Sequence, residues 1–95
     1  MTAKELLEKT LLRLDNGKKW GKFYFSKDDK YCAVGAMIFE ANAHKEITCA
    51  QLDRAKDILR EVVPAPYSSV TTFNDAPETT FPKVKKLFED AIQIS

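Results

Sequence analysis

A mainly α fold of four helices, with at most a short two-stranded β element, is what this sequence predicts. Three observations carry that expectation. Two capping boxes are written into the chain, Thr2 with Glu5 and Thr48 with Gln51. In such a box the hydroxyl accepts an orphan amide while the long side chain reaches back to the cap's own N–H. Apolar residues recur at spacings of three and four in the segments that follow these boxes and again near the C-terminus. Asn16-Gly17 and Pro64-Ala65-Pro66 then punctuate the pattern where helices should stop.

The first helix runs from the Thr2 cap with Leu6, Leu7, Leu11 and Leu14 as its inner stripe and Thr10 on the same side. Residues 18–30 break the rhythm, and Phe23-Tyr24-Phe25 suits a short aromatic strand. Asp28-Asp29 is then a turn or the cap of the next helix. The second helix is expected over about residues 31–43, apolar on two sides, and therefore central. Gly35 inside it costs about 1 kcal/mol against Ala, a cost compatible with close packing on another backbone.

The third helix follows Thr48, with Leu52, Ala55, Ile58, Leu59 and Val62 facing inward. Val70 to Phe73 is β-branched and aromatic, so it is expected to pair with residues 23–25 as the second strand. The last helix starts near Thr80 or Phe81, tolerates Pro82 in its first turn and buries Val84, Leu87, Phe88, Ala91 and Ile92. The expected core comprises Leu7, Leu11, Leu14, Trp20, Phe23, Ala36, Met37, Leu52, Ile58, Leu59, Val84, Leu87, Phe88 and Ala91.

Ninety-five residues, 44% apolar and 31% charged, suit one globular domain spanning residues 1–95. A chain of this size buries roughly 65% of its unfolded surface, enough for one modest core without a metal or disulfide. No apolar run approaches the roughly 18 residues of a membrane span. The N-terminus lacks the layout of a secretion signal, so the cytoplasm is the expected compartment. Two reduced thiols, Cys32 and Cys49, are expected rather than a bridge. Fifteen basic and fourteen acidic side chains leave a net charge of +1. That balance gives no global field for nucleic acid.

Trp20-Gly21, Cys32-Ala33-Val34-Gly35-Ala36, Phe73-Asn74-Asp75 and the Thr79-Thr80 ahead of the last helix are spread over most of the chain. In that order they resemble an uncharacterised domain family of bacteria and phages. That family shows a Trp turn, a Cys-Ala-x-Gly-Ala helix start, a Trp-Asn-Asp and a Thr-capped helix. Phe73 stands where the family usually has Trp. The resemblance implies the layout and no chemistry, and whether the Trp20 and Phe73 regions converge on one pocket is left open by the sequence.

Four constellations bear on function. Cys32 with His44 and Asn74 or Asp75 is the one catalytic set the residue types allow, a thiol at a helix start with an imidazole base. On one helix, however, Cys32 and His44 stand about 18 Å apart, so Cys32 is expected as a core residue and His44 as a helix-end cation. No Cys-x-x-Cys or paired-His spacing supports a metal site from Cys32, His44, Cys49 and Asp75, and Cys49 is expected to be buried packing.

Lysines and rings interleave from Lys18 to Lys27, the chemistry of a single-strand nucleic-acid binder. Adjacent Asp28 and Asp29 and the neutral balance favour a structural role for those rings. With no phosphate loop and no cofactor motif, no cofactor is expected. The expected function is a non-enzymatic module that binds a protein partner, phage- or mobile-element-encoded and directed at a host protein; the alternatives are a cysteine-dependent hydrolase or transferase using Cys32 and a single-strand nucleic-acid binder through residues 18–27. Trp20, Lys22, Tyr24, Phe73, Asn74 and Asp75 are the module's binding residues; neither nucleic acid nor membrane is an expected partner.

Overall fold

The computed structural model describes residues 2–24 and 26–95. Among these residues it contains five α-helices, one 3-10 turn and one two-stranded antiparallel hairpin. The fold is mainly α, as the capping and periodicity require.

Helix α1 (Ala3–Arg13) begins at the expected box: the Thr2 hydroxyl accepts from the Glu5 N–H at 3.1 Å, and the Glu5 carboxylate accepts from the Thr2 N–H at 3.2 Å. Leu6, Leu7 and Thr10 are buried, and the Thr10 hydroxyl donates to the Leu6 carbonyl at 2.7 Å. A core hydroxyl is thereby satisfied within its own helix. The chain leaves α1 through a 3-10 turn, Asp15–Gly17. Gly17, at φ 96°, adopts a left-handed conformation that costs glycine nothing, and a Cβ there would stand 3.0 Å from the Phe81 ring.

Strands β1 (Ser26–Lys27) and β2 (Lys30–Tyr31) pair antiparallel, Ser26 opposite Tyr31 and Lys27 opposite Lys30. Asp28 and Asp29 form their turn, at φ 52° and 64°. Two positive φ values are what a tight primed hairpin turn needs, and Asp tolerates them. Helices α2 (Ala33–Ala43) and α3 (Cys49–Glu61) follow, then α4 (Val70–Asp75) and α5 (Phe81–Ile94). The α3 cap is the second box, Thr48 and Gln51 each bonding the other's backbone N–H.

The expected strand pairing between residues 23–25 and 70–73 does not form. Residues 70–75 are the helix α4 instead, capped by Ser69, whose hydroxyl accepts from the Thr72 N–H at 3.1 Å. The reason is tertiary: Val70 and Phe73, three apart, are both buried, and a helical turn puts both on the core side. A β-branched preference of a few tenths of a kcal/mol per residue does not outweigh that burial. Phe25 lies outside the described residues.

Leu6, Leu7, Met37, Leu59, Val84 and Phe88 are sealed at the centre. Burying each such side chain contributes about 1.5–3 kcal/mol. Helix α1 holds the middle, against α2, α3 and α5, while α2 lies against α1, α3, α4 and β2. The second helix is thus less central than its composition predicts. Val34 and Ile38 are only half-buried, and Phe39 is exposed, its ring tilted against that of Tyr31 with centroids 5.0 Å apart.

Three further expectations about burial are corrected. Phe23 is 77% exposed rather than in the core, because its backbone turns outward at φ 71°. Cys49 is exposed, being the first residue of α3 on a turn that faces solvent; both cysteines are free thiols. Leu11, Trp20 and Leu52 sit at the core's edge, half-buried.

Glu40, buried on α2, joins the ends of two helices. Its carboxylate accepts from Arg13 Nε at 2.6 Å and meets His44 Nε2 at 2.8 Å. Burial pushes the Glu40 carboxyl up, but the Arg13 and His44 hydrogen bonds outweigh it and hold it below the usual carboxylate range. A carboxyl depressed on folding contributes stability that is complete above its unfolded value, about 4.3, and is lost as pH falls through the folded one. Urea midpoints measured below pH 5 should therefore fall less steeply with acid in Glu40→Gln than in the parent. Parallel slopes would show that Glu40 is not a major acid-linked contact.

Candidate functional site

Asn74, in the last turn of α4, is wholly buried and makes every hydrogen bond its amide allows. Its Oδ1 accepts from the Trp20 indole N–H at 2.7 Å and from the Ala33 N–H at 3.0 Å. Its Nδ2 donates to the Gly21 carbonyl at 3.1 Å and to Asp75 Oδ1 at 3.0 Å. One side chain thus ties the Trp20-Gly21 turn, the start of α2 and the end of α4 together.

Asp75 extends the network, because the same Oδ1 accepts from the Phe23 N–H at 2.8 Å. The Lys22 ammonium donates to the Ala76 carbonyl at 2.6 Å and lies 5.7 Å from the centroid of the Trp20 ring. Backbone bonds fix the other side of the turn: the Gly21 N–H donates to the Tyr31 carbonyl and the Tyr31 N–H to the Lys19 carbonyl. Gly21 also gives the Tyr24 phenol room, since a Cβ there would collide with it. The turn of residues 20–23 is thereby stapled to α4, with the Phe23 ring left in solvent.

A cleft of about 200 Å³ lies here, lined by Phe23, Tyr24, Cys32, Thr71 and Asp75. Cys32 caps α2, its sulfur accepting from the Gly35 N–H at 3.2 Å, and is only 2% exposed. Burial pushes its thiol above the ordinary value; the Gly35 and Val34 amides pull the other way, and the Asp75 charge raises it further. A nucleophilic cysteine needs the opposite environment.

Of the conceivable catalytic set, the structure brings Cys32, Asn74 and Asp75 together and leaves His44 apart. His44 caps the far end of α2, whose eleven residues span about 16 Å, and bonds Glu40 there. Among the described residues no three His, Cys, Asp or Glu side chains are grouped to hold a metal ion.

The sequence leaves open whether Trp20 and Phe73 share one pocket. The two regions meet through Asn74, but the rings diverge, because neighbouring residues of a helix point to different sides. Trp20 packs on Phe81, centroids 6.2 Å apart, whereas Phe73 meets Tyr67 edge-on at 5.3 Å. The Phe73 ring borders a second, larger cavity of about 330 Å³ between the α3–α4 connection and α5. Thr79 and Lys83 on that cavity carry no recognisable sequence signal, since a Thr pair before a helix reads simply as a cap.

A family model described as a family of unknown function (DUF6197) matches residues 1–94. No curated protein and no solved structure matches the chain.

Proposed function

The chain belongs to the DUF6197 family, a family of unknown function, and we propose that it is a non-enzymatic binding module whose contact with a protein partner centres on Phe23. The observation that carries this reading is the state of Phe23: 77% exposed, at φ 71°, with its N–H held by the Asp75 carboxylate. A bulky residue in the left-handed region is an uncommon and costly conformation, and such outliers persist where surrounding structure enforces them. Here the enforcement is the Asn74–Asp75 network, and its product is an aromatic ring presented to solvent on a fixed backbone. Aromatic anchors dominate binding energy at protein interfaces, and a pre-ordered anchor loses less entropy on association.

The lysines of this segment support a protein partner over nucleic acid. Lys22, closest to the rings, is occupied with Ala76, and Trp20 is committed to Asn74 and Phe81. Among the described residues no helix is long and apolar enough to cross a membrane. We place the module in the cytoplasm, that of a host cell if the gene is carried by a phage or mobile element.

The test is capture on the immobilised protein, comparing the parent with Phe23→Ala and with Leu12→Ala, the latter altering an equally exposed residue on α1 (78%). A stoichiometric partner kept by Leu12→Ala and lost by Phe23→Ala is the expected result. Retention by Phe23→Ala, or no stoichiometric partner on the parent, would sink the proposal.

A further inference from the structure

The geometry points to a ligand site in the 330 Å³ cavity between the α3–α4 connection and the first turns of α5, shaped for a small aryl or branched-aliphatic carboxylate. Its walls are mostly apolar, from Val62, Tyr67, Phe73 and Leu87, and the paired Lys86 and Asp90 also line it. The size is at the lower end of the range for small-molecule pockets, and roughly twice an apolar cavity known to admit benzene. Walls of this kind take a compact hydrocarbon body.

One end of the cavity is polar in a specific way. Thr79 lines it, is only 2% exposed, and its Oγ1 has no hydrogen-bond partner. A buried hydroxyl left unpaired costs about 1–3 kcal/mol, and buried polar groups are otherwise almost always satisfied. Thr79 also stands immediately before the start of α5, a helix of 14 residues whose cap, Thr80, makes no side-chain bond to its first turn. The N-terminal end of a helix carries partial positive charge, which favours an anion; Pro82 has no N–H and the Lys83 N–H already donates to the Thr80 carbonyl at 3.1 Å, so the dipole rather than a row of free amides acts here.

Lys83, one turn on, lines the same cavity, its ammonium held by the Glu78 carbonyl at 3.1 Å. The other charges nearby are already paired: Lys86 with Asp90 at 3.0 Å, and the Glu78 carboxylate with the Tyr67 hydroxyl. Lys83 and Leu87, four apart, lie on one face of α5, and Thr79 lies just ahead of the helix, next to its cap Thr80. A carboxylate at the Thr79–Lys83 end would accept from the free hydroxyl and lie beside the ammonium, with its hydrocarbon against Leu87 and Tyr67. The site is separate from the Phe23 surface and does not depend on its partner.

Phenylacetate is a suitable probe, titrated into ¹⁵N-labelled parent, Thr79→Val and Phe23→Ala proteins while amide resonances are followed. Saturable shifts should cluster at the amides of Val62, Val63, Ala65, Tyr67, Thr79, Lys83 and Leu87 in the parent and in Phe23→Ala. Thr79→Val removes the hydroxyl at nearly constant shape, so affinity should fall about tenfold while the melting temperature stays equal or rises. Phenylacetamide should bind several-fold more weakly than phenylacetate. Absence of saturation by tens of millimolar, shifts outside this cavity, or unchanged affinity in Thr79→Val would each overturn the assignment. A lowered melting temperature in Thr79→Val would overturn it too, by showing that the hydroxyl is partnered within the protein.

Discussion

Asn74→Ala should lower the melting temperature by roughly 10–30 °C. The substitution removes two acceptor contacts and two donor contacts at once. The Ala33 N–H is buried and loses its partner, at about 1–3 kcal/mol. The Trp20 indole and the Gly21 carbonyl are partly exposed, so water recovers some of their loss. A total of about 2–4 kcal/mol follows, and a domain of this length moves about 4–8 °C per kcal/mol.

Asn74→Asp gives a sharper signature. It keeps the Oδ1 acceptor but sets a second carboxylate against Asp75, where Nδ2 had donated. Like charges raise the pKa of one member, so folding takes up a proton more readily than the unfolded chain does. Relative to the parent, this variant should recover stability as pH falls from 7 toward 4. That trend is opposite in sign to the one expected from Glu40. Thermal melts across this range check both, and an Asn74→Asp deficit that does not change with pH would place Asp75 further from the amide than 3.0 Å.

Much of this fold was legible because local signals and tertiary packing agreed. Thr2–Glu5 and Thr48–Gln51 both close as capping boxes, and the apolar stripes beginning at Leu6, Ala55 and Val84 all face inward. Legibility failed where burial outweighed propensity, as at Val70–Asp75, whose six residues are too few for periodicity to declare a helix. It failed again at Phe23, where the left-handed backbone is enforced by a carboxylate 52 positions away in sequence. Trp20, Cys32-Ala33 and Asn74-Asp75 were visible as separate motifs, and only the fold shows that one amide joins them. The hydroxyl of Thr79 is unusual for having no partner, a property no sequence displays.

Phe88→Ala and Phe23→Ala make the same chemical change and should have opposite outcomes. Phe88 is fully buried on α5. Truncating it removes the transfer energy of the ring and leaves a cavity that the surrounding helices fill only in part, at about 3–5 kcal/mol. Natural domains hold about 5–15 kcal/mol in all, so the variant should melt tens of degrees early or be partly unfolded at 37 °C. Phe23 lies mostly in solvent, and its loss should change stability by no more than about 0.5 kcal/mol. Phe23→Gly should go further and raise stability by about 1 kcal/mol, because glycine accepts a positive φ without the Cβ clash. Urea midpoints with unchanged slopes would separate the three variants. If Phe23→Ala cost as much as Phe88→Ala, the ring would be part of the folded core and the proposed anchor would be lost. If Phe23→Gly stabilises while capture of a partner disappears, the chain retains a strained aromatic at the expense of stability, and binding is the physical reason for that cost.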